Sequence, residues 1–193
     1  MKNITELFFV LNKNERIIIQ LPVSIDIISA CDDVIIKFIH NDNNIMLAND
    51  CFLHVLRQLK SKLKLALGTK LFLHDSITQD IGLMWNKMLY GDKAGLVFEK
   101  HENQDFWVGN RYLLWSTPGS INPSLSTWLY NDQNGNIILH ITPEHKDIFT
   151  ISRKKFDKWM KAYEPFLIKV ISQNTAHIWL DQVNELLEII EKI

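Results

Sequence analysis

The chain has 193 residues, 47% of them hydrophobic and 22% charged, with a formal net charge of -1. That is the composition of an ordinary globular protein, long enough to bury most of its apolar surface without disulfides or a structural metal. It excludes a disordered chain, a disulfide scaffold and a globally basic nucleic-acid binder. The two cysteines, Cys31 and Cys51, are expected to be free thiols in a reducing compartment. The N-terminal segment places Glu6 before a short apolar run. It makes a poor signal peptide and is too short to span a membrane, so a cytoplasmic location is expected.

Residues 4–10 and 15–21 are apolar runs separated by the polar stretch NKNE and are predicted to be strands. VIIKFIH, behind Asp32 and Asp33, is another β-branched run, and Asn41 to Asn44 is expected to be a loop. Asn49 or Asp50 is expected to cap a helix in which Phe52, Val55, Leu56, Leu59, Leu63, Ala66 and Leu67 share one face, ending at Gly68. A second helix is predicted from about Thr78 to Tyr90, with Ile81, Met84, Trp85 and Met88 on one side and Gly91 at its end.

From Gly95 to Thr142 the pattern changes to strands: GLVFEK, DFWVGNRYLLWS, LSTWLYN and NIILHIT. They predict a four-stranded antiparallel meander, with Pro118, Gly119, Asn122 and Pro123 in its middle connection. Asn134-Gly135 signals a tight hairpin turn. A two- or four-residue loop puts Trp128 and Tyr130 on one face with Ile137, Leu139 and Ile141, leaving His140 and Thr142 on the other. Pro143 then ends the ladder. Ser152 is expected to cap a helix over RKKFDKWMKAY with Pro165 beyond it, and a last helix spans about Thr175 to Lys192 on a stripe of Trp179, Val183, Leu186, Leu187 and Ile190. The whole, residues 1–193, is expected to be a single α+β domain: a central antiparallel β-meander packed by helices, with a helical C-terminus.

Chemistry-bearing motifs are sparse. The seven histidines form no HExxH pair, and there is no CxxC, no phosphate-binding glycine loop and no GxSxG. No metal and no cofactor is implied. Thr142, Glu144 and His145 cluster at the end of the last hairpin strand and are expected to be a strand end. An enzyme built from distant residues would centre on His140 with Glu144 or Asp105, His145 standing nearby. Basic residues concentrate in 50–70 and 146–161, which would suit phosphate if they formed one face. Acidic groups, among them Asp32, Asp33, Glu102 and Asp105, would suit a basic protein partner, with Trp107 or Tyr112 as aromatic anchors if exposed.

The run YLLWSTPGSINPSLSTWLYNDQNGNIILHITP, followed by a Trp-bearing helix and by WLDQVNELLEIIEKI, resembles small bacterial immunity proteins of contact-dependent inhibition and related polymorphic toxin systems. The resemblance covers roughly the C-terminal half and rests on general texture, since no diagnostic motif is shared. It implies a cytoplasmic protein that binds one cognate toxin domain, often a nuclease, and blocks it. It assigns a role to no individual residue.

Overall fold

A computed structural model describes residues 5–41, 43–101, 104–117 and 123–190. The fold is α+β, with two four-stranded antiparallel sheets and a small hairpin. The first sheet is β1 (Glu6–Asn12), β2 (Glu15–Gln20), β3 (Asp33–His40) and β4 (Asn43–Cys51), in chain order. Helices α1 (Phe52–Leu67) and α2 (Ile81–Tyr90) follow. The hairpin of β5 (Phe98–His101) and β6 (Gln104–Trp107) stands apart as its own two-stranded sheet. The second sheet runs in the order β10-β9-β8-β7, from β7 (Leu113–Ser116), β8 (Ser124–Asn131), β9 (Ile137–Glu144) and β10 (Leu167–Ile171). Helix α3 (Arg153–Lys161) lies between β9 and β10, and α4 (Gln173–Ile190) closes the described chain.

The meander and the C-terminal helix match expectation, with four corrections. Pro143 does not end the ladder, because Leu125 stands opposite Pro143 and Ser124 opposite Glu144, so β9 runs on to Glu144. GLVFEK is not part of the meander sheet, because the strand that follows it bends into a short 3-10 turn at Val108–Tyr112 and re-enters as β7. The Asn41–Asn44 loop is only a tight reversal at Asn41, whose φ is +45°, and β4 begins at Asn43. Neither Asn49 nor Asp50 caps α1; both belong to β4. The first donors of α1 are met by loop carbonyls, Phe52 N–H donating to Asp32 O (2.9 Å) and Leu53 N–H to Ala30 O (3.0 Å). These bonds satisfy the orphan groups that a side-chain cap would otherwise take. Strand β10, the fourth of the second sheet, corresponds to none of the segments expected to be strands.

Helix α1 is the hub. Six of its seven predicted face residues are buried, and it packs against α4, β4, β7 and β8. Phe9 of β1 meets the indole of Trp179 of α4 edge-on at 5.8 Å, and Trp179 Nε1 donates to the Val10 carbonyl. Helix α4 thereby covers the outer carbonyls of edge strand β1, a common way of blunting an open sheet edge.

Among the described residues, an ion cluster centred on the buried Glu15 bridges the two sheets. Glu15, at the start of β2, receives Lys169 of β10 at 3.0 Å, His40 of β3 at 2.9 Å and the amide of Asn12. Burial alone would raise the Glu15 carboxyl. The hydrogen bonds from Lys169, Asn12 and His40 outweigh it and hold the group below the usual carboxylate range. A lowered native value means that this stability is complete above the unfolded carboxylate range, about pH 4.3, and is lost as pH falls through the native value. Lys169→Met is therefore expected to cost about 1–2 kcal/mol at pH 7, discounted because Lys169 is more than a third exposed. The gap between variant and parent should shrink in urea titrations repeated near pH 3.5. A gap independent of pH would show that the lysine does not act through Glu15.

Candidate functional site

The β8–β9 hairpin carries most of the polar chemistry, and its register decides where that chemistry points. Asn131 pairs with Ile137, so the connecting loop is five residues, Asp132–Asn136. The Asp132 carboxylate organises it by accepting from Asn134 N–H (2.9 Å), Asn136 N–H (2.8 Å) and the Asn136 side chain (2.9 Å), while Gly135 takes φ +81°. Both loop lengths expected from the sequence have the opposite parity. Trp128 therefore stands opposite His140, and Tyr130 opposite Ile138. The face of Trp128 and Tyr130 also holds His140, Thr142 and Glu144, whereas Leu129, Leu139 and Ile141 form the other.

This polar face is covered by α2 and the segment after α3. Two networks result. In the first, Asp80 caps α2: its Oδ1 accepts from Gly82 N–H (2.9 Å), Leu83 N–H (3.2 Å) and the Tyr163 hydroxyl (2.6 Å). Its Oδ2 lies 3.3 Å from His140 Nε2, and His140 Nδ1 lies 3.2 Å from the Tyr130 hydroxyl. His140 is only 2% exposed. Burial pushes its pKa down, against the pull of Asp80. Burial, with Asp80 and Asp132 adding to it, pushes the Tyr130 phenol up to about 12. Burial and the bond to Asp80 push Tyr163 up as well. At neutral pH the result is a neutral phenol and a neutral imidazole beside the Asp80 carboxylate, with His140 Nε2 buried and making no hydrogen bond.

In the second network the Glu144 carboxyl, 5% exposed, accepts from four donors: the Trp85 indole (2.7 Å), Ser116 (2.8 Å), Ser124 (2.9 Å) and Ser126. Thr142 sits between the networks and accepts from the Trp128 indole at 2.8 Å. Thr142 and Glu144 are thus internal struts. His145 turns away, edge-on to Trp159 at 5.3 Å, with Nδ1 accepting from Asp147 N–H. Burial pushes its pKa down too.

The candidate residues do not assemble into one site. His140 meets neither Glu144 nor Asp105; its carboxylate is Asp80, sixty residues earlier in the chain. The signal for Asp80 was present, an aspartate one residue ahead of an apolar helical run, but not its destination. Trp107 and Tyr112 are buried, so they are core residues and not exposed anchors: Trp107 packs against Trp85 and Trp128, and Tyr112 donates to the Phe72 carbonyl. Asp33 and Asp105 are exposed on separate sheets, Asp32 accepts from Ser29 N–H, and Glu102 lies outside the described residues. In the basic segments, Lys62 is spent on the Arg111 carbonyl and Arg153 on Asp92 and Asp157. Among the described residues no group of three His, Cys, Asp or Glu is placed to hold a metal ion, and no helix is long and apolar enough to cross a membrane. Cys31 and Cys51 are free.

What the surface offers instead is β10. It is an edge strand with β9 on one side only. Its one charged residue, Lys169, is turned toward Glu15. Ile168 and Val170 alternate on its other face, 54% and 62% exposed, and Phe166, 44% exposed, leads into it. Its only signal in the sequence is the short β-branched run FLIKVI, apolar at every position but Lys169. Searched against protein-family models, curated proteins and solved structures, the chain matches none of them.

Proposed function

We propose that this chain is an immunity-type inhibitor, acting in the cytoplasm, that binds a cognate toxin domain and silences it by occlusion. The observation that carries the reading is the apolar row on edge strand β10. Edge strands in monomeric proteins are normally defended by an outward charge, a proline or a covering element. Here the only charge in the strand serves the interior, leaving Phe166, Ile168 and Val170 outward beside open backbone donors and acceptors. An extended partner segment can add a strand to such an edge, its main chain supplying hydrogen bonds and the apolar row supplying side-chain specificity. The row would be the apolar centre of an interface of roughly 800 Å² per partner. That the partner is a toxin follows from the resemblance of the C-terminal half to immunity proteins.

The test is co-expression with the toxin domain encoded beside this gene, followed by co-purification and a growth assay. Parent chain should protect cells and co-elute stoichiometrically. The double variant Ile168→Lys, Val170→Lys should lose at least 100-fold in affinity. Its thermal midpoint should hardly move, because both side chains already face solvent. Retained binding in the double variant would remove β10 from the interface, and failure of the parent chain to protect or co-elute would sink the immunity reading.

A further inference from the structure

In the first sheet, alternation sends Phe9, Ile17, Ile19, Ile36 and Phe38 into the core, each at most 1% exposed. The residues between them make the outer face. Its cross-strand rows read Phe8–Ile18–Lys37–Met46 and Val10–Arg16–Ile39. A solvated face of an antiparallel sheet is normally polar. This one is apolar around two cations: Phe8 and Val10 are 43% and 53% exposed, Ile35 and Met46 are half-buried, and Ile18 and Ile39 are buried. Arg16 and Lys37 are diagonal neighbours on adjacent strands, a like-charge contact that costs stability unless it is answered. Among the described residues neither is in an ion pair. The Arg16 guanidinium lies 5.9 Å from the Phe8 ring, and its Nε is buried without a hydrogen-bond partner. The face's own carboxylates, Glu6 and Asp33, stand at its opposite end.

The matching charge is on α4. Ile178, Gln182, Glu185 and Ile189 recur at helical spacing along one exposed stripe, with Asp181 and Glu188 beside it. The helix contains no lysine or arginine, and among the described residues its three carboxylates are in no ion pair. The stripe is continuous with the sheet, because a groove of about 280 Å³ is lined by Phe8 from β1 and by Gln182, Glu185 and Ile189 from α4. One molecule thus carries, side by side, an apolar patch with unanswered cations and an apolar patch with unanswered carboxylates. A foreign partner of either sign would answer one patch and meet like charge at the other. Two-fold pairing answers both, since each copy then offers its cations to the other's carboxylates.

We propose that the outer face of the first sheet and the α4 stripe form one self-complementary surface on which a second copy of this chain docks about a two-fold axis. Arg16 and Lys37 of each copy face Asp181 and Glu185 of the other, and Phe8, Val10, Ile178 and Ile189 close the apolar part of the contact. The surface is separate from β10, so the dimer does not depend on the partner-binding reading.

Sedimentation equilibrium of the full chain at pH 7 tests it. In about 50 mM salt the chain should dimerise with a Kd on the order of 10 µM, and about 500 mM salt should weaken the dimer at least ten-fold. Asp181→Lys with Glu185→Lys, both at exposed positions, should be monomeric where the parent is dimeric. So should Arg16→Glu with Lys37→Glu, or Lys37→Glu alone if the double change unfolds the half-buried Arg16 site. Mixed in equal amounts, the two charge-reversed chains should form a heterodimer, because facing patches are again of opposite sign. Such a rescue needs two folded chains, which general destabilisation cannot supply. The Ile168→Lys, Val170→Lys chain should dimerise like the parent. A parent chain still monomeric at about 200 µM, a dimer unmoved by either reversal, a mixture that stays monomeric, or loss of the dimer in the β10 variant would overturn the proposal.

Discussion

Glu144→Ala is expected to lower stability by about 3 kcal/mol, a drop of roughly 6–12 °C in Tm for a chain of this size. The carboxyl is buried and accepts from Trp85, Ser116, Ser124 and Ser126. Alanine leaves all four donors without it. The serines have alternatives: the Ser124 hydroxyl can turn its single proton to the Thr117 carbonyl, and Ser126 and Ser116 approach each other at 3.4 Å. The Trp85 indole has one proton and a ring wedged against Trp107 and Trp128, so it cannot turn to another acceptor. Most of the loss therefore sits on the indole and on the cavity left by the side chain. Glu144→Gln keeps the volume and one acceptor oxygen and should cost about 1–2 kcal/mol, and Ser116→Ala, which removes a single donor, about 1 kcal/mol. The order Ala, Gln, then Ser116→Ala in chemical denaturation is the diagnostic result. A Glu144→Ala variant within 1 kcal/mol of the parent would show that the carboxyl is not the hub of this network.

The residues that misled at the level of sequence have a common physical origin. The helices were legible because their apolar positions recur at one angular spacing and the opposite faces are polar: Phe52 through Ala66 on α1, and Trp179, Val183, Leu187 and Ile190 on α4, are buried as the spacing requires. The β8–β9 hairpin was visible from Asn134-Gly135, yet nearly every residue of both strands is buried. With helices on both faces, alternation no longer distinguishes inside from outside, and register rests on loop length alone. Asp132, which folds three donors onto itself, makes that loop five residues instead of two or four. A slip of one residue moved His140 from an open face to the face of Trp128. Its partner Asp80 arrives from the cap of α2, and no local pattern encodes that meeting. β4 looked polar because Asn43, Asn44, Asn49 and Asp50 dominate it, and it is strand only because β3 pairs along its whole length across a bulge. The β10 edge was a run too short to stand out, though the apolar row it carries is the surface on which the functional reading depends.

Gly82→Ala tests the placement of α2 on β9, and with it the whole polar face. On intrinsic propensity the change should stabilise a helix by about 1 kcal/mol. The packing says otherwise. A Cβ on Gly82 would lie 2.4 Å from both Cβ and Oγ1 of Thr142 and 2.3 Å from the Tyr163 hydroxyl. Tyr163 can give way by breaking its bond to Asp80. Thr142 cannot, because its Cβ is fixed by the β9 backbone, which pairs there with Ser126 of β8. The helix must lift by more than an ångström, loosening the Asp80–His140 contact and the Trp85–Glu144 bond together. The clash is worth about 3 kcal/mol or more and outweighs the propensity gain, so Gly82→Ala is expected to be destabilised by at least 2 kcal/mol net. Adding Tyr163→Phe in the same chain should recover little, because the threonine remains. His140 gives an independent readout: once α2 lifts, its imidazole becomes accessible, and its titration by NMR should move up toward the ordinary histidine range as burial is relieved. A Gly82→Ala chain that melts above the parent, with His140 unmoved, would mean that α2 does not seat on β9 this closely, and the packing of Asp80, His140 and Tyr130 beneath it would lose its foundation.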